Sequence, residues 1–200
     1  MAYTPNIYDP AQPTDAVIAE TAQAEFRSIK DAAVFTMNKD LTTVEVQNTA
    51  SMTQFYSYTV PGGSMATNRN LLYEVIGVLN NTTGVDHTFT LQPKFGGVII
   101  DGLTFTLPQD VDRNPFKLEV EFWNESGSTG NQVFYYELTI FGTQGVSDNK
   151  PLLAGFPVAG YVDTIAVDTT VDQDFIMSVQ PEVADANLTL TAWTQSITRY

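Results

Sequence analysis

Glu119 and Glu121 stand two residues apart in the segment Phe116-Lys117-Leu118-Glu119-Val120-Glu121-Phe122-Trp123, a spacing that puts both carboxylates on one face of a strand. Paired carboxylates run glycoside hydrolysis, but there the two acids flank a cleft. Two acids side by side on a solvated strand face read instead as solubilising charge. Two other acidic groups have the composition of calcium loops: Asp110 with Asp112, and Asp168 with Asp172 and Asp174. Calcium takes six to eight oxygens from flexible loops, yet neither group carries the glycine-spaced pattern of a dedicated site, and surface turns are the simpler reading. His87 opens a strand with no acid or serine fixed near it in sequence, and no Gly-x-Ser-x-Gly elbow exists to present a nucleophile to it. Pro61-Gly62-Gly63-Ser64 lacks the lysine and the following helix of a phosphate loop and reads as a turn. Phe134-Tyr135-Tyr136 puts two rings on one strand face and one on the other. Tyr135 and Tyr136 are the candidate glycan contacts, although packing is the commoner use of such rings.

Composition closes off much of the remaining chemistry. The 200 residues hold no cysteine and one histidine, which excludes disulfides, thiolate metal sites, cysteine nucleophiles and multi-histidine centres. No catalytic set, metal or cofactor is implied. Nine Lys+Arg against 23 Asp+Glu give a net charge of −14, which repels phosphate and anionic membrane, so neither nucleic acid nor membrane is an expected partner. Residues 1–40 are nearly balanced at net −3, whereas the remaining 160 residues carry −11. An acidic outer surface of that kind keeps particles apart in solution. No secretory signal or membrane-spanning run is visible, so a soluble chain made in the cytosol is expected. The length is that of one domain, or a domain with an appendage, and 43% hydrophobic residues suffice for a real core.

The elements that would position these residues fall into two unequal parts, 1–40 and 41–200. Pro5, Pro10 and Pro13 make residues 1–13 an extended arm. Thr14 or Asp15 then offers an N-cap, and no Gly or Pro occurs from Ala16 to Asp40. Ile18, Ala22, Phe26, Ile29 and Ala33 form one narrow apolar stripe, predicting a helix over about 15–37. Four of these also fit heptad positions, so the helix is expected either to pack on its own domain or to pair with copies of itself. After Asp40 the period becomes two. Strands are expected at Thr42–Gln47 and Met52–Val60, followed by eight more: Leu71–Leu79, Asp86–Gln92, Val98–Leu107, Phe116–Trp123, Asn131–Phe141, Tyr161–Val167, Gln173–Gln180 and Ala186–Thr194. With turns between them and no helix among them, these argue for an antiparallel β-sandwich of jelly-roll type, with an immunoglobulin-like sandwich or a small barrel still open. The long connection 142–160, with Pro151 and Pro157, suits a Greek-key crossover better than a hairpin.

Thr21-Ala22-Gln23-Ala24-Glu25-Phe26-Arg27-Ser28-Ile29-Lys30, preceded by the proline-bearing arm, resembles the N-terminal attachment segment of tailed-bacteriophage fibre and appendage proteins. Val167–Asp172, Phe175–Val179 and Ala184–Leu190 are similar in style to β-sandwich domains of phage virion proteins. The resemblance implies a homotrimer located in the virion, with its helical N-terminus bound to the major capsid protein or a tail component and its β domain exposed. It carries no catalytic residues. Three readings follow: a trimeric capsid decoration (cement or head-fibre) protein, a short tail fibre or adhesin head recognising host glycans, and a depolymerase, which the missing catalytic constellations disfavour.

Overall fold

A computed structural model describes residues 35–65, 69–109, 113–125, 131–141 and 156–200. The expected arm and most of the expected helix, with Ile18, Ala22, Phe26, Ile29 and Ala33, lie outside those residues, as do Asp110 and Asp112.

The described residues form β-strands alone, in two antiparallel sheets. The strands are β1 (Phe35–Asp40), β2 (Val44–Val46), β3 (Thr53–Val60), β4 (Asn70–Asn81), β5 (His87–Phe95), β6 (Val98–Ile99), β7 (Leu103–Leu107), β8 (Asn114–Asn124), β9 (Asn131–Ile140), β10 (Phe156–Ala166), β11 (Gln173–Pro181) and β12 (Leu188–Arg199). Burial alternates residue by residue along β8, as its apolar/charged alternation requires of a strand with one face in a core. The larger sheet runs β1-β12-β4-β8-β9-β10, with β2 also on β12. The smaller runs β3-β11-β5-β6, with β7 also on β5. Counting β1 with β2 as the first position and β6 with β7 as the fifth, and setting β9 and β10 aside, the sheets read 1-8-3-6 and 2-7-4-5. This is the jelly-roll wiring, two Greek keys closed face to face.

Two segments depart from the sequence reading. Residues 35–40 are strand, paired with β12 from Phe35↔Arg199 to Asp40↔Gln195, where the helix was expected to run to about 37 and the β region to start at 41. No Gly or Pro marks the switch, and backbone pairing with a long neighbour outweighs weak helix propensity. The connection after β9 is not the Greek-key crossover: β10 returns antiparallel beside β9 in the same sheet, and the next change of sheet comes between β10 and β11. Pro157 is accommodated because β10 is an edge strand, where a missing N–H costs no ladder bond.

The core is joined across the sheets by aromatic rings. Tyr56 lies 4.8 Å from Tyr73, Tyr73 5.1 Å from Phe175, Phe175 5.1 Å from Phe122, and Phe122 5.1 Å from Phe134, with Phe95 against the last two. Buried polar groups are used as cross-links. The Tyr73 hydroxyl donates to Gln195 Oε1 (2.8 Å), and Gln195 Nε2 donates to the carbonyl of Phe55 in the other sheet (3.4 Å). Asn124 Nδ2 donates to the Met65 carbonyl and to Thr169 Oγ1. Gln132 Nε2 donates to Asn124 Oδ1 (3.0 Å), and Gln132 Oε1 accepts from the Val167 N–H (2.7 Å). A buried polar group so paired holds loops to strands without the penalty of an unmade bond.

A bulge in β12 between Ala192 and Thr194 leaves Trp193 unpaired and 42% exposed. Gly77 lies opposite Ala192, and a Cβ there would sit 2.1 Å from the Thr191 carbonyl oxygen and 2.9 Å from the Phe116 ring. Gly77→Ala is therefore expected to lower stability by about 1–3 kcal/mol, read as a fall in urea midpoint at unchanged slope. Burial pushes the Tyr56 hydroxyl up to about 12 and also raises that of Tyr73 well above its usual value. Because the unfolded chain ionises near 10, this stability is complete below pH 10 and is lost as pH rises through 12. Tyrosinate absorbance for these rings should appear together with loss of near-ultraviolet circular dichroism, not before it.

Candidate functional site

The outward face of the larger sheet is set by the register of β4, β8 and β9. Glu74, Glu119 and Glu137 lie directly opposite one another in one row, and Leu72, Glu121 and Tyr135 in the next. Like charges opposed across strands repel, at about 0.2–1 kcal/mol per pair. Lys117, on the same face, answers part of this: its ammonium donates to Glu74 and to Glu119, each at 2.9 Å. Those bonds, to Glu74 first and Glu119 second, hold the lysine above its usual pKa. Glu121 accepts from Asn70 Nδ2 at 2.8 Å. Glu137, half-buried, has no hydrogen-bond or ion-pair partner among the described residues.

Leu72, Glu119, Glu121, Tyr135, Glu137 and Tyr200 enclose an open cleft of about 270 Å³ on this face. Tyr135 is 36% exposed and Tyr200 47%, and the Tyr200 N–H is pinned to the Asn70 carbonyl at 2.9 Å. The chemistry on offer is two tyrosine rings with their hydroxyls, which donate or accept, a patch of aliphatic surface, and carboxylate oxygens, which only accept hydrogen bonds. A second groove on the same sheet, of about 290 Å³, runs past Glu45, Gln47, Asn80, Arg113 and Thr191 and is lined by no aromatic ring.

No protein-family model matches the chain, and no curated protein matches it. Among solved structures it is similar to the "CBM2 module of Lactobacillus casei BL23 phage J-1 evolved Dit", at 10% identity, over 76% of this chain and 73% of that one, with a TM-score of 0.33. A score of that size does not establish a shared fold, and the site stands on its own geometry.

Of the two candidate glycan contacts, Tyr135 is in the cleft and Tyr136 is not. Tyr136 is 2% exposed in the core and donates its hydroxyl to the Asp101 carbonyl at 2.8 Å, so it is corrected to a packing residue. Alternation held the signal: Phe134, Tyr136, Leu138 and Ile140 share the apolar parity, and Tyr135, Glu137 and Thr139 the other. Glu119 and Glu121 do share an outward face, but they line a cleft with Glu137, which the sequence reading omitted together with Leu72 and Tyr200.

The remaining candidates make contacts within loops or between neighbouring segments. Asp168 accepts from the Thr170 hydroxyl (2.6 Å) and N–H (2.9 Å), which lower its pKa in that order. Asp172 accepts from the Gly62 N–H (2.8 Å), latching the Pro61–Ser64 turn, and Asp174 accepts from the Thr59 hydroxyl (2.7 Å). Among the described residues no cluster of three or more acids or histidines is placed to hold a metal ion. His87 Nδ1 lies 3.3 Å from Glu182 Oε2 on the smaller sheet's side of the molecule, and that carboxylate, which also accepts from the Thr88 N–H at 2.8 Å, is held below its usual pKa by Thr88 first and His87 second.

Lys117→Met should leave the acid row uncompensated and cost under about 1 kcal/mol at low salt, since the pair groups are partly exposed. The loss should shrink in 1 M NaCl, measured by parallel urea titrations of the two proteins.

Proposed function

We propose that the chain is a non-enzymatic structural protein of a tailed-phage particle, and within that class a homotrimeric capsid decoration protein. Residues 1–34 bind the major capsid protein and the jelly roll is displayed outside. The observation that supports this best is the way the head is tethered. Phe35 pairs with Arg199, so the chain enters the jelly roll at one end of one sheet, beside Tyr200, and the described strands from β1 to β12 suffice for the jelly-roll wiring. A head whose own strands complete the wiring is suited to display. The resemblance of residues 21–30 to phage attachment segments supplies the partner, and the net charge of −14 argues against nucleic acid or an anionic membrane as its target. The head needs no cofactor for this role.

One feature favours a second reading, a short tail fibre or adhesin head: Tyr135 stands in a cleft on the outward face instead of in the core. Copy number separates the two. Decoration requires copies in proportion to capsid subunits, a fibre only a handful per particle.

The extent of β1 also defines the truncation that tests the anchor. Deleting residues 1–34 keeps the β1–β12 ladder, and the product is expected to retain native near-ultraviolet dichroism while no longer sedimenting with purified particles. Sedimentation of the truncated head with particles at full occupancy would place the contact in the sandwich and end the anchor reading.

A further inference from the structure

We infer that the cleft between Tyr135 and Tyr200 is a saccharide subsite that takes one neutral or amine-bearing sugar ring and excludes acidic sugars. This deepens the adhesin reading and rests on it.

About 270 Å³ is at the lower end of ligand-sized clefts, room for one ring and not for a long oligomer. Two exposed tyrosine faces and the Leu72 side chain offer apolar surface to the C–H face of a sugar, a use of aromatic rings that leaves their hydroxyls in water. The polar groups are then one-sided. Asn70 and Lys117 could donate, but Asn70 is turned to Glu121 and Lys117 to Glu74 and Glu119. Apart from the two tyrosine hydroxyls, what the cleft presents to a ligand is therefore mainly acceptor oxygen, and Glu137 has no partner among the described residues. A ligand must bring donors, and sugar hydroxyls or a sugar ammonium do so. A uronate or a sulfated sugar would bring a further negative charge to a row already bearing Glu119 opposite Glu137, a juxtaposition that disfavours binding.

The site is also built in advance. Glu121 accepts from Asn70 of β4, the Tyr200 backbone N–H is held by the Asn70 carbonyl, and Glu119 is paired with Lys117 on its own strand. The inner faces of β8 and β9 are locked by Phe122 stacked on Phe134. Little ordering remains to be done on binding.

A cationic protein segment would meet the same acceptors, so the test must separate it from a sugar. The full chain would be titrated calorimetrically with oligomers of glucosamine, glucose and galacturonate, and with oligolysine, alongside Tyr135→Ala and Glu137→Gln. Both variants alter partly exposed side chains, and native near-ultraviolet dichroism confirms their folding. The expected order is glucosamine, then glucose, with no galacturonate binding. Tyr135→Ala should weaken both sugars by about tenfold or more, and Glu137→Gln should remove most of the preference for the amine. Galacturonate bound as well as glucosamine overturns the charge selection. Oligolysine bound as tightly as the sugars, with Tyr135→Ala without effect, reassigns the cleft to a protein partner. Sugar binding that Tyr135→Ala leaves intact sinks the cleft assignment while the adhesin reading survives, and no sugar binding at millimolar concentration sinks both.

Discussion

Phe122 lies 5.1 Å from Phe134 beside it in the larger sheet and 5.1 Å from Phe175 in the smaller, each pair within about a dozen degrees of parallel. Those three rings, extended by Tyr73 and Tyr56 on one side and Phe95 on the other, run through the sandwich from one sheet to the next. Flat side chains stacked this way fix more than the distance between layers. Each ring must meet its neighbour at one longitudinal position, so the stack also fixes how far β8, β9 and β11 have slid past one another. A slip of one residue would bring Glu121 and Tyr135 into the core and expel Phe122 and Phe134. The cost of burying an unpaired carboxylate makes that alternative unreachable.

The outward face inherits this register. Because side chains alternate, the larger sheet's rings in the stack have a cleft residue beside them in sequence: Tyr73 follows Leu72, Phe122 follows Glu121, and Phe134 precedes Tyr135. Binding residues are commonly carried on loops, but here Tyr135 and the three glutamates of the cleft sit on strand backbone braced from behind. The opposed glutamates are tolerated because Lys117 and Asn70 absorb part of the repulsion, and because the aromatic stack opposes any adjustment that would relieve the rest.

Much of this was legible in the residues. The alternation from Phe116 to Phe122 is clean enough to place β8 and its acidic face, and the ten strands expected after Asp40 correspond to strands of the sandwich, with Val98–Leu107 broken into β6 and β7 at Gly102. What alternation cannot carry is pairing. That Glu74 and Glu137 stand on either side of Glu119, and that β10 turns back on β9 instead of crossing, are facts of register and topology that depend on contacts distant in sequence. The error at residues 35–40 has the same origin, since Phe35-Thr36-Met37-Asn38-Lys39-Asp40 has no strong local preference and takes its form from β12. The place of Tyr136, by contrast, was readable from the parity it shares with Leu138 and Ile140. Tyr200 had no signal at all, because its position depends on the β4 carbonyl to which it is tied.

β9 and β10 are not needed to complete the eight positions of the jelly roll, yet β9 supplies Tyr135 and Glu137 to one surface and Phe134 and Tyr136 to the interior. β9 is thus packed on its inner side and partly open on its outer one. Substitutions at alternate positions of β9 separate cleanly into those that disturb folding and those that alter only what the outer face meets. A fold with such a strand at its margin can change its surface specificity through every second residue while the interior that carries it stays the same.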